Sequence, residues 1–241
     1  MNIGGLIDTT GQTGSTNADL AARLQSGRRI AEGYWLVADR QTAGRGRQGR
    51  EWFDGHGNFM GSTIVHVGPR DPAPATLALV AGLAAYEAVL RHCPGQTGFK
   101  LKWPNDLMYS SAKLGGILLE REGDAVIIGI GVNLKIAPDL PDRKTAALSK
   151  FGPPPDRDAF ARTLASSLDQ ELERWRTYGI EPLLRRWESA AHPRGTALTV
   201  HEQSDGTISG TFDGLESDGC LRMRLADGST RVIHAGDVML A

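Results

Sequence analysis

The sequence predicts an α+β fold: a mixed β-sheet domain flanked by helices, followed by a small β-barrel of the SH3-like kind. Three observations carry this. Two apolar strands, Ile117-Leu118-Leu119-Glu120 and Ala125 to Val132, are separated by the polar turn Glu122-Gly123-Asp124, an antiparallel hairpin suited to a sheet centre. Long segments with helical spacing, Pro74 to His92 and Asp158 to Tyr178, flank it. From Thr196 onward the chain changes to short strands parted by Ser-Asp-Gly and Ala-Asp-Gly turn signals.

Taken in order, Ser15-Thr16-Asn17 precedes a helix over Ala18 to Leu24, with Leu20 and Leu24 one turn apart; hydroxyl and amide side chains there suit helix capping. Tyr34 to Ala38 reads as a strand leading into a glycine loop, and Ser62 to Val67 as a second. Phe99 to Trp103 alternates apolar and basic residues and stops at Pro104, which has no N–H for a ladder. Gly152-Pro153-Pro154-Pro155 is a stiff break before the helix marked by Phe160, Leu164, Leu168, Leu172 and Trp175; Ile180 to Trp187 continues as another. Pro193 and Gly195 mark a boundary, giving domains 1–192 and 193–241. The strands beyond it are Ala197–Val200, Gly206–Phe212, Cys220–Leu225 and Thr230–Ile233, with turns at Ser204-Asp205-Gly206, Ser217-Asp218-Gly219 and Ala226-Asp227-Gly228.

Composition narrows the function. With 241 residues, 40% hydrophobic and 23% charged, the chain can bury a full core. Lys plus Arg is 27 against 28 Asp plus Glu, a balance that argues against a general nucleic-acid binder. Two distant cysteines, Cys93 and Cys220, fit a reducing cytoplasm rather than a disulfide scaffold. The start lacks a secretory signal pattern, and Ala75 to Leu90, interrupted by Gly82, Tyr86 and Glu87, reads as a buried helix rather than a membrane span. No P-loop and no Gly-x-Ser-x-Gly elbow occurs; the histidines lack metal-ligand spacing, so no metal ligand is assigned. Gly129-Ile130-Gly131 superficially resembles a dinucleotide loop but lacks the third glycine and a following helix.

The chemistry-bearing segments are Gly44-Arg45-Gly46-Arg47-Gln48-Gly49-Arg50, then Lys100-Leu101-Lys102-Trp103-Pro104-Asn105-Asp106-Leu107, then Lys113-Leu114-Gly115-Gly116-Ile117. Glycines permit close backbone approach and arginines offer forked donors for phosphate or carboxylate. Alone, the loop reads equally as a solvated basic turn or an RNA-binding tract. Lys113 reads as an ordinary strand-entry lysine or as a fixed cation beside two bare glycines, where negative charge could accumulate. Trp52 serves as core or as a shelf for a base, Asn133 as a strand-end cap or a ligand contact, and Trp103 and Pro104 as packing and turn.

In that order, these segments resemble those of the biotin protein ligases, and the resemblance runs from Ser15 through the final barrel. It implies a class II synthetase-like catalytic domain and a reaction in two halves: biotin and MgATP give biotinyl-5′-AMP and pyrophosphate, and a lysine of a biotin carboxyl carrier domain then takes the biotin, releasing AMP. It implies that Ser15, Thr16, Asn17, Gln41, Gly44, Arg45, Gly115 and Gly116 bind biotin. It assigns Arg47, Arg50, Trp52, Asn105 and Asn133 to the nucleotide side, with Arg47, Lys113 and Asp106 as the catalytic set. Asp106 is expected to orient or deprotonate the acceptor amine, and the glycine loop to order over the adenylate. Cytoplasmic location, no membrane or DNA partner (no helix-turn-helix fits before Ser15) and a possible homodimer complete the expectation. One departure is Phe53 to Met60, where the family commonly carries Ser-Pro. A lipoate-activating relative and a non-catalytic binder are the rival readings.

Overall fold

A computed structural model describes residues 6–202 and 206–240. The first sheet contains β1 (Ile7–Thr10), β2 (Trp35–Ala38), β3 (Phe59–His66), β4 (Phe99–Lys102), β5 (Asp106–Tyr109), β6 (Ala112–Glu122) and β7 (Ala125–Val132). Their spatial order is β1-β2-β3-β7-β6-β5-β4, with β1–β2 parallel and every other pair antiparallel, so the sheet is mixed as predicted. The predicted hairpin is β6–β7, with Glu122 opposite Ala125, and β7 is the middle strand of seven.

The period of two along β7 builds both faces of the sheet. Val126, Ile128, Ile130 and Val132 enter the main core with helices α2 (Leu77–His92), α3 (Arg157–Tyr178) and α4 (Ile180–Ala190). Ile127 points the other way, to a second apolar cluster with Leu20, Leu36, Ile64 and Ala125 beneath α1 (Thr16–Gln25). Further along that second face β7 presents Gly129 and Gly131, which bare the sheet. The main core holds Trp35, Trp175 and Trp187 almost fully buried; removing one such side chain typically costs about 3–5 kcal/mol. The apolar helix of Pro74–His92 is a short 3-10 turn at Pro74–Thr76 followed by α2, ten of whose residues are buried. Asp156 caps α3 by accepting the Ala159 N–H (2.8 Å), and Gly179, in the left-handed region at φ 72°, ends it.

Sequence and structure part at several elements. β1, β5 and β12 (Asp237–Leu240) are not predicted: Asp106-Leu107-Met108-Tyr109 contains no β-branched side chain, and β1 and β12 are defined by pairing with β2 and with the strand Ala197–Glu202. β6 starts at Ala112 rather than Ile117, because glycines at 115 and 116 hide a strand. Ser15 occupies the N-cap position of α1, yet its side chain makes no capping bond, while Thr16 and Asn17 lie inside the helix. Their side chains are engaged elsewhere.

The second sheet is antiparallel, with β8 (Ala197–Glu202), β9 (Gly206–Leu215), β10 (Leu221–Arg224), β11 (Thr230–Ile233) and β12 in the order β11-β10-β9-β8-β12. A flat sheet of five strands would set its edges about 19 Å apart, whereas the chain from Ile233 to Asp237 spans at most about 14 Å. The sheet therefore curls into the expected SH3-like form. Gly219 and Gly228 take the left-handed conformation of the predicted turns (φ 88° and 83°); Ser204 and Asp205 of the first turn lie outside the described residues.

Candidate active site

A cavity of about 520 Å³ opens over the bared face of β6 and β7, roofed by the 44–54 segment and walled by the Trp103–Asp106 turn, the 138–145 loop and β12. Its floor is shaped by missing side chains. A methyl group at Gly129 would run into the Asn17 amide, and one at Gly131 into the Trp52 ring. Gly116 lies under both Trp52 and Lys113, so a methyl there would sit 3.3 Å from each.

One end is polar and close-knit. The Thr16 N–H donates to Gln41 Oε1 (2.7 Å), and the Thr16 hydroxyl lies 3.0 Å from that oxygen and 2.6 Å from Ser62 Oγ. Ser62 donates to Asn17 Oδ1 (2.6 Å), and Asn17 Nδ2 donates to Glu120 Oε2 (2.6 Å). Gln41 is fixed in turn by Asp54, which accepts its backbone N–H (3.0 Å) and pairs with Arg40. Thr16, Asn17, Gln41 and Ser62 are all buried, and Ser15 joins them on the wall.

The other end is cationic. Asp106 is buried between Lys113 Nζ (2.6 Å) and Lys102 Nζ (2.9 Å). Burial alone would raise its pKa, but the two ammonium groups outweigh that and hold the carboxyl at about 2. Two lysines on one carboxylate leave a positive charge over. Arg47 adds another: its guanidinium donates to Asn105 Oδ1 and to the Gly236 carbonyl, both at 3.2 Å and both neutral. Burial lowers the Arg47 pKa, against the pull of Asp106 and Asp237. Arg50, by contrast, is paired through two nitrogens with Asp237 (2.9 and 3.1 Å). Arg45 is exposed at the rim.

The glycine loop is a closed turn. Gly46 N–H donates to Arg50 O (2.7 Å), Trp52 N–H donates to Gly44 O (2.9 Å), and Gln48 and Gly49 adopt left-handed backbone (φ 58° and 72°). Gly44 is needed for closeness: a methyl there would lie 3.0 Å from Gln41 Nε2. Trp52 is half-buried, its ring 6.0 Å from Lys113 Nζ and its indole N–H buried without a protein partner. It lies on the glycine floor inside the cavity rather than in the apolar core.

Of the residues expected at the site, Ser15, Thr16, Asn17, Gln41, Gly44, Arg45, Arg47, Arg50, Trp52, Asn105, Asp106, Lys113, Gly116 and Asn133 line this single cavity. Gly115 does not. A methyl on it would lie 2.7 Å from the Gly131 carbonyl, so its bareness serves strand contact beside the β5–β6 irregularity. Asn133 is buried and donates to Ala146 O (3.1 Å), tying the end of β7 to the following loop. Sequence reasoning missed Ser62, Glu120, Lys102 and Asp237. Lys102 was visible as the basic member of an alternating strand, i,i+4 from Asp106; the other three come from distant strands with no local signal.

Fold and site together define an acyl-activating ligase of the biotin and lipoate type. Residues 12–133 match the biotin/lipoate A/B protein ligase family, and residues 199–240 match the biotin protein ligase C-terminal domain. The biotin–[acetyl-CoA-carboxylase] ligase of Paracoccus denitrificans is 34% identical, covering 94% of this chain and 97% of that one. The ligase of that name from Mycobacterium tuberculosis is 36% identical, covering 97% and 88%. The structure of biotin protein ligase from Aquifex aeolicus in complex with biotin and ATP superposes with a TM-score of 0.85 at 25% identity, covering 98% of this chain and 99% of that one. The chain belongs to the biotin protein ligase family.

Proposed function

We propose that this chain joins biotin to a lysine of a biotin carboxyl carrier domain through a biotinyl-5′-AMP intermediate. The observation that carries the reading is one cavity with a buried hydrogen-bonding end and a cationic end in continuity. The biotin head group belongs at Ser15, Thr16, Asn17 and Gln41, where donors and acceptors are held in fixed directions. Its carboxylate then reaches toward Lys113 and Arg47, where surplus positive charge lets two anions approach.

The carboxylate oxygen attacks the α-phosphorus of MgATP, the bond to the bridging oxygen breaks, and pyrophosphate leaves. Lys113 and Arg47 stabilise the charge that develops on the phosphoryl oxygens. Arg50, Asn105 and Asn133 complete the nucleotide side, and the unpartnered indole N–H of Trp52 offers a donor to the bound intermediate. Of the carboxylates lining the cavity, Asp54, Asp106, Asp142 and Asp237 each pair with a cation, which leaves Glu51 as the one that could help hold a Mg²⁺ ion; that ion would enter with the nucleotide and screen its phosphate charge. In the second half the acceptor amine, entering uncharged, attacks the carbonyl carbon of the mixed anhydride, the bond from that carbon to the phosphate oxygen breaks, AMP leaves and the amine's proton passes to water. A carboxyl held at about 2 is a poor base at neutral pH, so Asp106 orients Lys113 and the amine rather than taking a proton. The free cysteines and the buried apolar helix fit a cytoplasmic setting.

The test is acyl transfer. Protein, MgATP and an apo carrier domain are incubated with biotin or lipoate, and the carrier's intact mass is read. A biotin-sized gain that requires ATP is expected. A lipoyl-sized gain, or none with a competent carrier, would reject the reading.

A further inference from the structure

Outside the cavity, one cluster of side chains among the described residues has the composition of a metal site. Leu221 and Ile233 are partners in the β10–β11 ladder, so Cys220 and His234, one step beyond, face each other across the strand ends. Cys220 Sγ lies 3.2 Å from His234 Nδ1. Asp218 joins them from the preceding turn, its carboxylate oriented by accepting the Cys220 N–H (2.9 Å). One ligand atom from each of the three lies within 4.8 Å of the other two. Asp218 and His234 are exposed and Cys220 half-buried, so an ion can enter from solvent.

We propose that Asp218, Cys220 and His234 bind a borderline divalent cation of the zinc type, and that the ion steadies the two turns by which the C-terminal sheet grips the catalytic domain. Sulfur, imidazole and carboxylate together suit Zn²⁺ and do not suit Mg²⁺ or Ca²⁺. In tetrahedral zinc geometry sulfur and nitrogen ligands lie about 3.6 Å apart, so the pair needs only a small opening. Binding would expel the thiol proton to water and form the zinc–thiolate bond, with no redox change. Without an ion the thiol stays protonated: burial, then Asp218 and Glu216, push it up to about 11, which leaves it a poor nucleophile.

The link to the cavity is direct. Gly219, between two of the ligands, accepts the Trp103 indole N–H (3.0 Å). Two and three residues beyond His234, Gly236 accepts from Arg47 and Asp237 pairs with Arg50. An ion joining Cys220 to His234 therefore fastens the turn under Trp103 to the turn that holds the glycine loop.

The experiment is a Co²⁺ titration of untagged protein, read by absorbance. The expected result is a thiolate-to-cobalt charge-transfer band saturating at one equivalent and erased by Zn²⁺. It should be absent in Cys220→Ser and His234→Ala, and at least about tenfold weaker in apparent affinity in Asp218→Asn. No thiolate band in wild type, or the same band in Cys220→Ser, would overturn the site. Limited trypsin digestion at Arg45, Arg47 and Arg50 tests the link. Zn²⁺ should slow cleavage several-fold in wild type and leave Cys220→Ser unchanged; equal rates with and without Zn²⁺ in wild type would overturn it.

Discussion

Asp106 shows how one buried carboxylate can organise the cations around it. It fixes two lysines by short ion pairs, and its pKa of about 2 records how strongly they hold it. A depressed folded-state pKa contributes stability that is complete above the unfolded value near 3.8 and lost as pH falls toward 2, roughly 2 kcal/mol in all. The difference in urea midpoint between wild type and Asp106→Asn should thus be constant from pH 8 to 5 and narrow between pH 4 and 2. A gap still widening at pH 3 would show that the ion pairs are not its source. Lys113→Ala and Arg47→Ala should each lower biotin-dependent pyrophosphate release on the order of 10²–10³-fold, the usual effect of losing one donor to a developing oxyanion. Unchanged rates in both would remove them from the reaction. Arg47→Lys should recover only part of the loss, since a lysine lacks the fork that spans Asn105 and Gly236.

The strands β6 and β7 do by omission what loops do by reaching. Gly116, Gly129 and Gly131 strip one face of a sheet whose other face is packed with Ile117, Ile128 and Ile130, and so make room without loosening the core. Gly129→Ala should displace the Asn17 amide and weaken biotin binding by about tenfold or more in calorimetry, and Gly131→Ala should lift Trp52 from the floor. Overpacking of this kind costs about 1–3 kcal/mol, so both proteins should remain folded; wild-type biotin affinity in Gly129→Ala would show that Asn17 is not a contact. In the sequence Gly129-Ile130-Gly131 reads only as an incomplete dinucleotide loop; its meaning as a bare strip required knowing which face α1 leaves open. The central hairpin and the long helices could be read directly, because Val126 to Val132 and Phe160 to Trp175 state their periods plainly. β5 and β12 could not: Asp106 to Tyr109 and Asp237 to Leu240 lack a plain alternation of apolar and polar residues, and their pairing with β6 and β8 is a property of the assembled sheets. Likewise Lys113 and Arg47 were legible from their motifs, whereas Ser62 and Glu120 enter through register alone.

The two sheets meet at the glycine loop. Arg50 to Asp237, Arg47 to the Gly236 carbonyl and Lys102 to the Val238 carbonyl (2.7 Å) join the cavity to β12 and the turn before it. Asp237→Ala should accelerate tryptic cleavage at Arg45, Arg47 and Arg50 and hasten loss of bound adenylate, with little change in thermal midpoint, since a half-exposed pair is worth roughly 1 kcal/mol or less. Equal cleavage rates would mean that the loop is held by its own turn. Asp237 and Val238 also stand last in chain order among the residues that line the cavity. Domains form from the N-terminal side during synthesis. A nascent chain that has emerged through α4 already owns the glycine floor, the polar corner, Lys113 and the Asn105 partner of Arg47, yet lacks the Gly236 carbonyl and the Asp237 carboxylate that pairs with Arg50. The roof therefore has two fastenings of different age, one made within the catalytic sheet and one that waits for β12.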